Sequence, residues 1–360
     1  MSEKRYLLLE NGKFFEGRAF GAEKETTGEV VFTTSMVGYL ENITDPSYFG
    51  QIIVQTFPSA GNYGIIPEDF ESERSYIKGY IVRDWCQVPS NFRAQGDLDT
   101  FLKEQNIPGI SGIDTRELTR IIRENGVMNA KILSELPEDL SEALWSMKNY
   151  RITDAVSSTS RKEVTEYKSC AGAAGEAKKV VLLDLGGRMS IIKALQARGC
   201  DVTAVPYNTS AEDIIAAKPD GIVISDGPGD PEENVDVIKE IRKLLASGIP
   251  MMGICLGHQL IAIASGARTE KMVYGHRGAS QPSKRIEDGF VYITSQNHGY
   301  SVIADTLPEN AEVNFVNVND GSCEGIKYKG IPVFTVQFHP ETCGGPRPAG
   351  FLYDEFIAMI

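Results

Sequence analysis

Several features that mark other classes of protein are missing from this sequence. It has no apolar run of transmembrane length, and its first residues contain no signal-peptide core, so we expect a cytoplasmic protein that does not act at a membrane. The 36 basic residues are outnumbered by 49 acidic ones, which gives a net charge of −13. The basic residues form no cluster. This balance argues against nucleic acid as a partner.

Metal-binding and nucleotide-binding motifs are missing as well. Six cysteines are spread over 360 residues without CxxC pairs, which predicts neither a disulfide framework nor a zinc site. The sequence contains neither a P-loop nor a glycine-rich dinucleotide fingerprint. We therefore expect no metal and no cofactor in this chain.

The length and a hydrophobic content of 42% indicate two domains. Residues 1–150 show a mixture of strand and helix patterns, and 151–177 have the polar and then small composition of a linker. In 178–360, near-continuous apolar strands alternate with helices, which predicts an α/β domain with a mostly parallel sheet and helices on both faces. Beyond about 270 the pattern changes to short strands, at 290–294, 311–316, 324–328 and 332–338.

The most informative motif is 253–259, which reads GICLGHQ. It joins a short apolar strand to a helical stretch that ends at Gly266. A sharp strand-to-helix turn between two glycines projects its central side chain, here the thiol of Cys255, into a pocket. The start of the following helix favours a thiolate and offers backbone N–H groups to a developing oxyanion. The alternative is an inert buried cysteine.

Two other loops follow predicted strands, where α/β sheets bind ligands. The loop 225–231 (SDGPGDP) contains two glycines that let backbone N–H groups approach a substrate, unless the loop only reverses the chain. Downstream, His339 offers a base for the thiol and Glu341 an acceptor that orients it, with Pro340 excluding a helix between them. The alternative is a surface His-Pro turn.

Two further histidines have simpler expected roles. His258 follows the elbow directly, but on the new helix its ring is expected to turn away from Cys255 and to pack or cap. The polar segment 297–299 (NHG) is predicted to be a turn, which either presents amides to a ligand or only connects two strands.

Together these segments resemble the class I glutamine amidotransferases, whose marks are GxCxGHQ, an upstream GPGxP loop and a downstream HPE. The first domain is similar to the N-terminal domain of the carbamoyl-phosphate synthetase small-chain family. The segments that carry this second similarity are 28–39, 44–48, 90–93 and 112–116. The resemblance covers the whole chain apart from the linker.

The resemblance implies a glutaminase subunit. Cys255 would attack the side-chain amide of L-glutamine to form a γ-glutamyl thioester, and His339, oriented by Glu341, would move the protons. The backbone amides of Leu256 and Gly227 are the expected oxyanion hole. The positions that match the family's glutamine pocket are Ser47, Gly227, Gly229, Leu256, Gln259, Asn297, Gly299 and Tyr300.

The resemblance also implies a partner. Ammonia would pass to a separate carbamoyl-phosphate synthetase large chain, which would form a heterodimer with this one. There bicarbonate and ATP, with Mg²⁺, would give carbamoyl phosphate for arginine and pyrimidine biosynthesis.

Four segments depart from the family pattern. Asp226 stands where the family usually has Asn, and a carboxylate beside an oxyanion hole opposes the developing charge unless it is turned away or paired. The segments 185–190 (LGGRMS), 278–282 (GASQP) and 342–346 (TCGGP) also differ. We expect an active glutaminase whose coupling to its partner is altered or specialised.

Three other interpretations remain open at this stage. The chain could be the amidotransferase subunit of another synthase, serving guanylate, anthranilate or aminodeoxychorismate synthesis, but the first domain argues against this. It could be a non-catalytic, amidotransferase-like regulatory subunit, which only the four departures favour. A stand-alone thiol hydrolase is the third, and it leaves the first domain unexplained.

Overall fold

The computed structural model describes residues 3–170, 177–342 and 349–360. It divides into two units, the first ending at Thr153 and the second running from Asp154 to Ile360. Among the described residues, no helix is both long and apolar enough to cross a bilayer.

The first unit is built, within the described residues, on a closed seven-stranded barrel. The strands are β1 (Lys4–Leu9), β2 (Phe14–Gly21), β3 (Thr26–Thr33), β4 (Gln51–Gln55), β5 (Gly79–Val82), β6 (Pro108–Ser111) and β7 (Met128–Leu133). The helices are α1 (Tyr39–Thr44), α2 (Leu98–Glu104), α3 (Thr115–Asn125) and α4 (Ser141–Lys148). The strand order is β1-β2-β6-β5-β4-β3-β7, and antiparallel pairing of β1 with β7 closes the barrel. This is the mixed α/β domain that the sequence predicts.

The second unit contains, in its described part, a ten-stranded sheet. Its strands are β8 (Thr165–Tyr167), β9 (Lys178–Asp184), β10 (Cys200–Pro206), β11 (Gly221–Ile224), β12 (Met251–Ile254), β13 (Thr269–Arg285), β14 (Val291–Val302), β15 (Ala311–Asn317), β16 (Cys323–Tyr328) and β17 (Val333–Val336). Its helices are α5 (Ala155–Thr159), α6 (Met189–Gln196), α7 (Ala211–Ala216), α8 (Val235–Ala246), α9 (Leu256–Ala264) and α10 (Phe351–Met359). The strand order is β14-β13-β15-β16-β17-β12-β11-β9-β10-β8.

The centre of this sheet is parallel, from β17 through β12, β11 and β9 to β10, and the remaining strands extend it with antiparallel pairs. Alternate residues of β9 face opposite sides: Val181 and Leu183 pack with α7, α8 and α9, whereas Val180 and Leu182 pack with α6 and α10. Because both faces are covered, the central strands are mostly apolar. The predicted fold class is confirmed.

Of two predictions about the antiparallel part, the strand at 290–294 is too short and the turn at 297–299 is wrong. The sequence predicts a short strand at 290–294 and a turn at 297–299, but β14 is continuous over twelve residues and pairs with the seventeen-residue β13. The pattern misleads because the polar side chains of 296–298 are buried rather than exposed in a turn, and those of Gln296 and His298 are hydrogen-bonded to each other. The pairing of β13 with β14 contains two irregularities, which explains why no regular alternation marks either strand.

The predicted linker at 151–177 is also partly wrong. It contains α5, and β8 within it pairs antiparallel with β10 at the edge of the sheet. Arg161 anchors the segment, since its backbone N and its Nε lie 2.8 and 3.0 Å from Asp184 at the end of β9. The polar composition therefore reflects an edge strand and a buried ion pair. Residues 171–176 of the predicted linker, and 343–346 of the fourth departing segment, lie outside the described residues.

Candidate active site

Cys255 occupies a sharp turn between β12 and α9. Its backbone has φ 52° and ψ −102°, a conformation that L-residues rarely adopt. The turn is possible because the residues around it lack side chains: a Cβ on Gly257 would lie 2.3 Å from the carbonyl oxygen of Ile224, and one on Gly253 would lie 2.7 Å from a side-chain carbon of Ile261. The glycine spacing thus creates the elbow that the motif predicts.

The thiol of Cys255 lies between β14 and the end of β17. Its Sγ is 3.7 Å from the carbonyl oxygen of Asn297 and 3.5 Å from Nε2 of Gln337, and its backbone N donates to Val336 at 2.8 Å. The side chain is 2% exposed. Sequence reasoning overlooked Gln337, because a buried glutamine just after a strand has no motif of its own.

His339 and Glu341 follow β17, the parallel neighbour of β12. Since Ile254 pairs with Val336, Cys255 and the segment carrying His339 leave the sheet at the same edge. Nδ1 of His339 lies 3.0 Å from Oε1 of Glu341, and both side chains are fully buried. The structure therefore brings the predicted base and its orienting carboxylate into hydrogen-bonding contact.

Glu341 is held as a carboxylate. Burial alone would raise its pKa, but the hydrogen bond to His339 and the charges of His339 and Arg188 outweigh burial and lower it. The hydroxyl of Tyr353 on α10 donates to Oε2 of Glu341 at 3.1 Å, so each carboxylate oxygen has a donor. Burial and the charge of Glu341 raise the pKa of Tyr353, which keeps its proton available for this bond. No sequence pattern links Tyr353 to the site.

Asp226, the departure that the sequence places beside the expected oxyanion hole, is buried and paired. Its Oδ1 accepts a hydrogen bond from the backbone N of Arg188 at 3.1 Å, and its Oδ2 lies 3.4 Å from Nε of the same residue. The guanidinium is anchored in turn by Thr342, whose Oγ1 is 3.1 Å from Nη1. A carboxylate at this position is tolerated if it is paired with a positive charge, and Arg188 supplies that charge.

The predicted oxyanion-hole residues pack tightly together. A Cβ on Gly227 would lie 2.4 Å from the carbonyl oxygen of Leu185 and 3.0 Å from the side chain of Leu256, so only glycine fits between them. Gly229 in the same loop has φ 93°, which also favours glycine. The part of these residues in binding substrate stays a prediction.

The other residues predicted to bind glutamine occupy three places. Gln259 on α9 donates to the carbonyl oxygen of Tyr300 at 2.8 Å and to Oε1 of Gln337 at 2.9 Å, which joins it to the surroundings of the thiol. Asn297, Gly299 and Tyr300 lie on β14. Ser47 belongs to the first unit, in the 3-10 helix Pro46–Tyr48, where its backbone N donates to Asp45. Their binding roles stay predictions.

His258 lies away from the thiol, in the core between α9 and β17. It is fully buried, and its Nδ1 lies 2.7 Å from Oγ1 of Thr335. Burial lowers its pKa to about 3, so the ring is neutral in the fold. This geometry fits the packing role predicted for it.

A second buried group, which we call the His276 cluster, has side chains of the kind that bind metals. Ligand atoms of His276, His298 and Glu324 lie within 4.8 Å of one another. However, Gln296 stands among them: its Oε1 is 3.1 Å from Nδ1 of His276 and 2.9 Å from Nε2 of His298, and its Nε2 donates to Glu324. Asn317 supplies a further donor to Glu324, at 2.9 Å. A hydrogen-bonded network accounts for this cluster without an ion.

Comparisons with known proteins place both units in described families. The model of the carbamoyl-phosphate synthase small chain, CPSase domain, matches residues 7–132, and the model of glutamine amidotransferase class-I matches 181–359. The carbamoyl phosphate synthase small chain of Clostridium perfringens is 47% identical over 356 residues, which cover 98% of this chain and 99% of the relative. The pyrimidine-specific small chain of Bacillus subtilis is 48% identical over 358 residues, which cover 99% and 96%.

Proposed function

The chain belongs to the family of carbamoyl-phosphate synthase small chains, and from that premise we propose that it hydrolyses L-glutamine to glutamate and ammonia through a thioester on Cys255. One observation carries the proposal: the elbow thiol and a buried His339–Glu341 pair leave neighbouring parallel strands at the same edge of the sheet. A thiol, a base and a carboxylate that orients the base are the groups that amide cleavage requires.

In the first half of the reaction, His339 takes the proton of Cys255 and the sulfur attacks the side-chain carbonyl carbon of glutamine. The backbone N–H groups of Leu256 and Gly227 hold the oxygen as it becomes negative. His339 then gives its proton to the amide nitrogen, the C–N bond breaks, and ammonia leaves a γ-glutamyl thioester behind. Glu341 stays ionised and holds the Nδ1 proton, so that Nε2 is the nitrogen that exchanges protons.

In the second half, His339 takes a proton from water as the oxygen attacks the thioester carbon. The C–S bond breaks, the sulfur recovers the proton, and glutamate leaves. The predicted pocket residues of the second unit, which are Gly229, Gln259, Asn297, Gly299 and Tyr300, would hold the α-amino and α-carboxylate groups of the substrate and its side chain. The binding role expected of Ser47 stays a prediction.

The ammonia released by this reaction is proposed to be used by a partner chain. Relatives named as small chains imply a large chain, and we propose that this chain passes ammonia to it. The large chain would hold ATP and Mg²⁺ and would make carbamoyl phosphate for arginine or pyrimidine biosynthesis, and this chain would need no cofactor of its own. The cytoplasmic location expected from the sequence stays a prediction.

The non-catalytic alternative has lost its main support. It depended on the departures, and above all on a carboxylate at Asp226 that would oppose the oxyanion. Since Arg188 pairs with this carboxylate, the departure no longer argues against catalysis.

The test is glutamate release from glutamine by the purified chain, with and without a carbamoyl-phosphate synthase large chain, and with Cys255→Ser as the control. We expect release that depends on the thiol and rises with the large chain, together with a glutamyl adduct on the Cys255 peptide after acid quenching. Release that is unchanged in Cys255→Ser would contradict the assigned nucleophile. No release by a folded wild-type chain in either condition would favour the non-catalytic alternative.

A further inference from the structure

Two carboxylates, not one, face the same ring nitrogen of His339. Oε1 of Glu341 lies 3.0 Å from Nδ1, and Oδ2 of Asp226 lies 3.9 Å from the same atom. All three side chains are fully buried, so water screens neither interaction. Glu341 is at hydrogen-bonding distance, whereas Asp226 acts on the ring through its charge.

The formal charges around His339 balance in only one protonation state. Asp226 and Glu341 carry two negative charges, and Arg188 carries one positive charge. With a neutral imidazole the group has a net charge of −1, and with an imidazolium it is neutral. Since one arginine offsets only one of the two carboxylates, the remaining negative charge beside Nδ1 favours an imidazolium at His339 and so helps the ring accept the proton of the thiol.

We propose that Asp226 is a second positioning residue for His339, which stabilises the imidazolium together with Glu341, and that Arg188 limits this effect so that the ring can still lose its proton. The proposal rests on the proposed function, because it assigns Asp226 a part in the same proton transfers. Without Arg188, two uncompensated carboxylates would hold the ring protonated and prevent it from activating water in the second half of the reaction.

The other groups near His339 leave this assignment intact. Cys255 approaches from the end of β12, and its thiolate is the counter-ion that forms during catalysis. His298 on β14 is neutral, because burial first and then the charge of His276 lower its pKa well below the usual value. Tyr353 on α10 keeps its proton and contacts Glu341 rather than the ring. Arg188 also acts on Glu341 through its charge, but the ion pair that the structure gives it is with Asp226, at 3.4 Å.

The experiment measures the pKa of His339 by NMR of histidine-labelled full-length chain. Cys255→Ala is the background, so that the thiol does not titrate with the ring. With only four histidines in the sequence, the signal of His339 is identified by its loss in His339→Gln. Asp226→Asn removes the negative charge, and Arg188→Gln removes the positive charge that offsets it.

The two variants should shift the pKa of His339 in opposite directions. Asp226→Asn leaves Arg188 uncompensated and lowers it, whereas Arg188→Gln leaves Asp226 uncompensated and raises it, each by about one unit or more. In the double variant Asp226→Asn/Arg188→Gln, the pKa of His339 should be close to its value in the Cys255→Ala background, because a neutral pair then replaces an ion pair. Arg188→Lys keeps the charge and should shift the pKa less than Arg188→Gln does.

Asp184→Asn is the matched control. Asp184 is also buried and forms an ion pair with an arginine, Arg161. It is the last residue of β9, the neighbour of β11, and it makes no contact with His339. We expect it to leave the pKa of His339 in place even if it lowers stability. A purely structural role for Asp226 would instead give the same result for Asp226→Asn and Asp184→Asn.

Catalysis supplies the second measurement, made with the Cys255 thiol present. In Asp226→Asn we expect kcat for glutamate release to fall about tenfold with KM little changed, and the acidic limb of the pH profile to move to lower pH, because this limb follows the pKa of the base. In Arg188→Gln the acidic limb should move to higher pH. If Asp226→Asn does not fold, Arg188→Gln and Arg188→Lys test the proposal alone.

Two results would overturn the proposal: a His339 pKa that moves in neither folded variant, or one that moves in the same direction in both. The titration does not depend on turnover. Failure of the wild-type chain to release glutamate would therefore contradict the proposed function without being mistaken for failure of this inference.

Discussion

Among its described residues, the second unit contains two histidine–carboxylate groups with buried imidazoles and similar distances. In one, Nδ1 of His339 lies 3.0 Å from Glu341, and in the other, Nε2 of His276 lies 2.9 Å from Asp320 and Nδ1 lies 3.4 Å from Glu324. They differ in what surrounds them. The His339 pair stands at the edge of the sheet where the elbow thiol emerges, whereas amide side chains fill the centre of the His276 cluster.

This difference teaches that a histidine–carboxylate contact does not identify a base. Burial opposes protonation of His276, but Glu324 and Asp320 outweigh it and raise its pKa, so the cluster has the electrostatics of a catalytic pair. Burial raises the pKa of the neighbouring thiol, Cys323, to about 12, which makes this sulfur a poor nucleophile at neutral pH. The two histidine–carboxylate groups are therefore distinguished by the cysteine next to each of them rather than by the imidazole itself.

The largest expected effect tests this separation directly. His339→Asn should lower kcat for glutamate release by about 10²–10⁴-fold, the contribution typical of a general base, whereas His276→Asn should change it little. Steady-state glutamate release by both variants measures this, with circular dichroism to check that each is folded. A loss in His276→Asn as large as that in His339→Asn would remove the distinction between the two groups.

The two cysteines should differ in reactivity. A glutamine analogue that carries a chloroketone should modify Cys255, because it binds as substrate does. Cys323 should resist alkylation at neutral pH by a factor of about 10² or more relative to an ordinary thiol, since burial disfavours its thiolate. Peptide mass mapping over time measures both, and the exposed Cys170 is the control for general alkylation. Rapid labelling of Cys323 would contradict the comparison.

A smaller effect is expected from Glu341→Gln. The amide keeps the shape of the side chain but no longer stabilises the imidazolium, and Asp226 remains to replace part of the lost charge. We therefore expect kcat to fall by about 10- to 100-fold, less than in His339→Asn. Glutamate release across a range of pH checks this. An Asp226→Asn/Glu341→Gln double variant that is no worse than Glu341→Gln would show that Asp226 compensates for nothing.

The smallest effect concerns stability. The pKa of His276 is higher in the fold than in the unfolded chain, so its charged contacts stabilise the protein fully below the unfolded value of about 6.5, and this contribution is lost as pH rises through the folded value. His276→Gln should therefore cost about 1–3 kcal/mol at acidic pH and less at alkaline pH. Urea unfolding at both pH values measures this. A cost that grows with pH would have the wrong sign.

The sequence predicts the features of the site that depend on local spacing. The elbow follows from the glycines on either side of Cys255, and the His339–Glu341 pair follows from two residues separated by a proline. It does not predict the contacts that join distant segments, such as Arg188 with Asp226 or Tyr353 with Glu341, because each of these residues is ordinary in its own segment. The departure at Asp226 was visible, but its partner was not.

The fold shows the same limit. The strands β9, β11 and β12 are predictable because both of their faces are buried along most of their length, which makes them mostly apolar. By contrast, β13 and β14 bury polar side chains in the His276 cluster, and their sequence therefore has the composition of loops. A strand that buries a polar network therefore cannot be distinguished from a loop by its sequence pattern.

The position of β17 has a consequence for the order in which the active site is assembled during synthesis. It is the last strand of the described chain, yet it lies between β12 and β16, and the contact of Gln337 with Cys255 joins residues 82 positions apart. Contacts of such long range are slow to form, because closing the chain between them costs entropy. During synthesis the thiol is therefore made well before its base, and a chain cut ahead of β17 has a cysteine but no means to use it. Ammonia release therefore requires a chain that extends at least as far as Glu341.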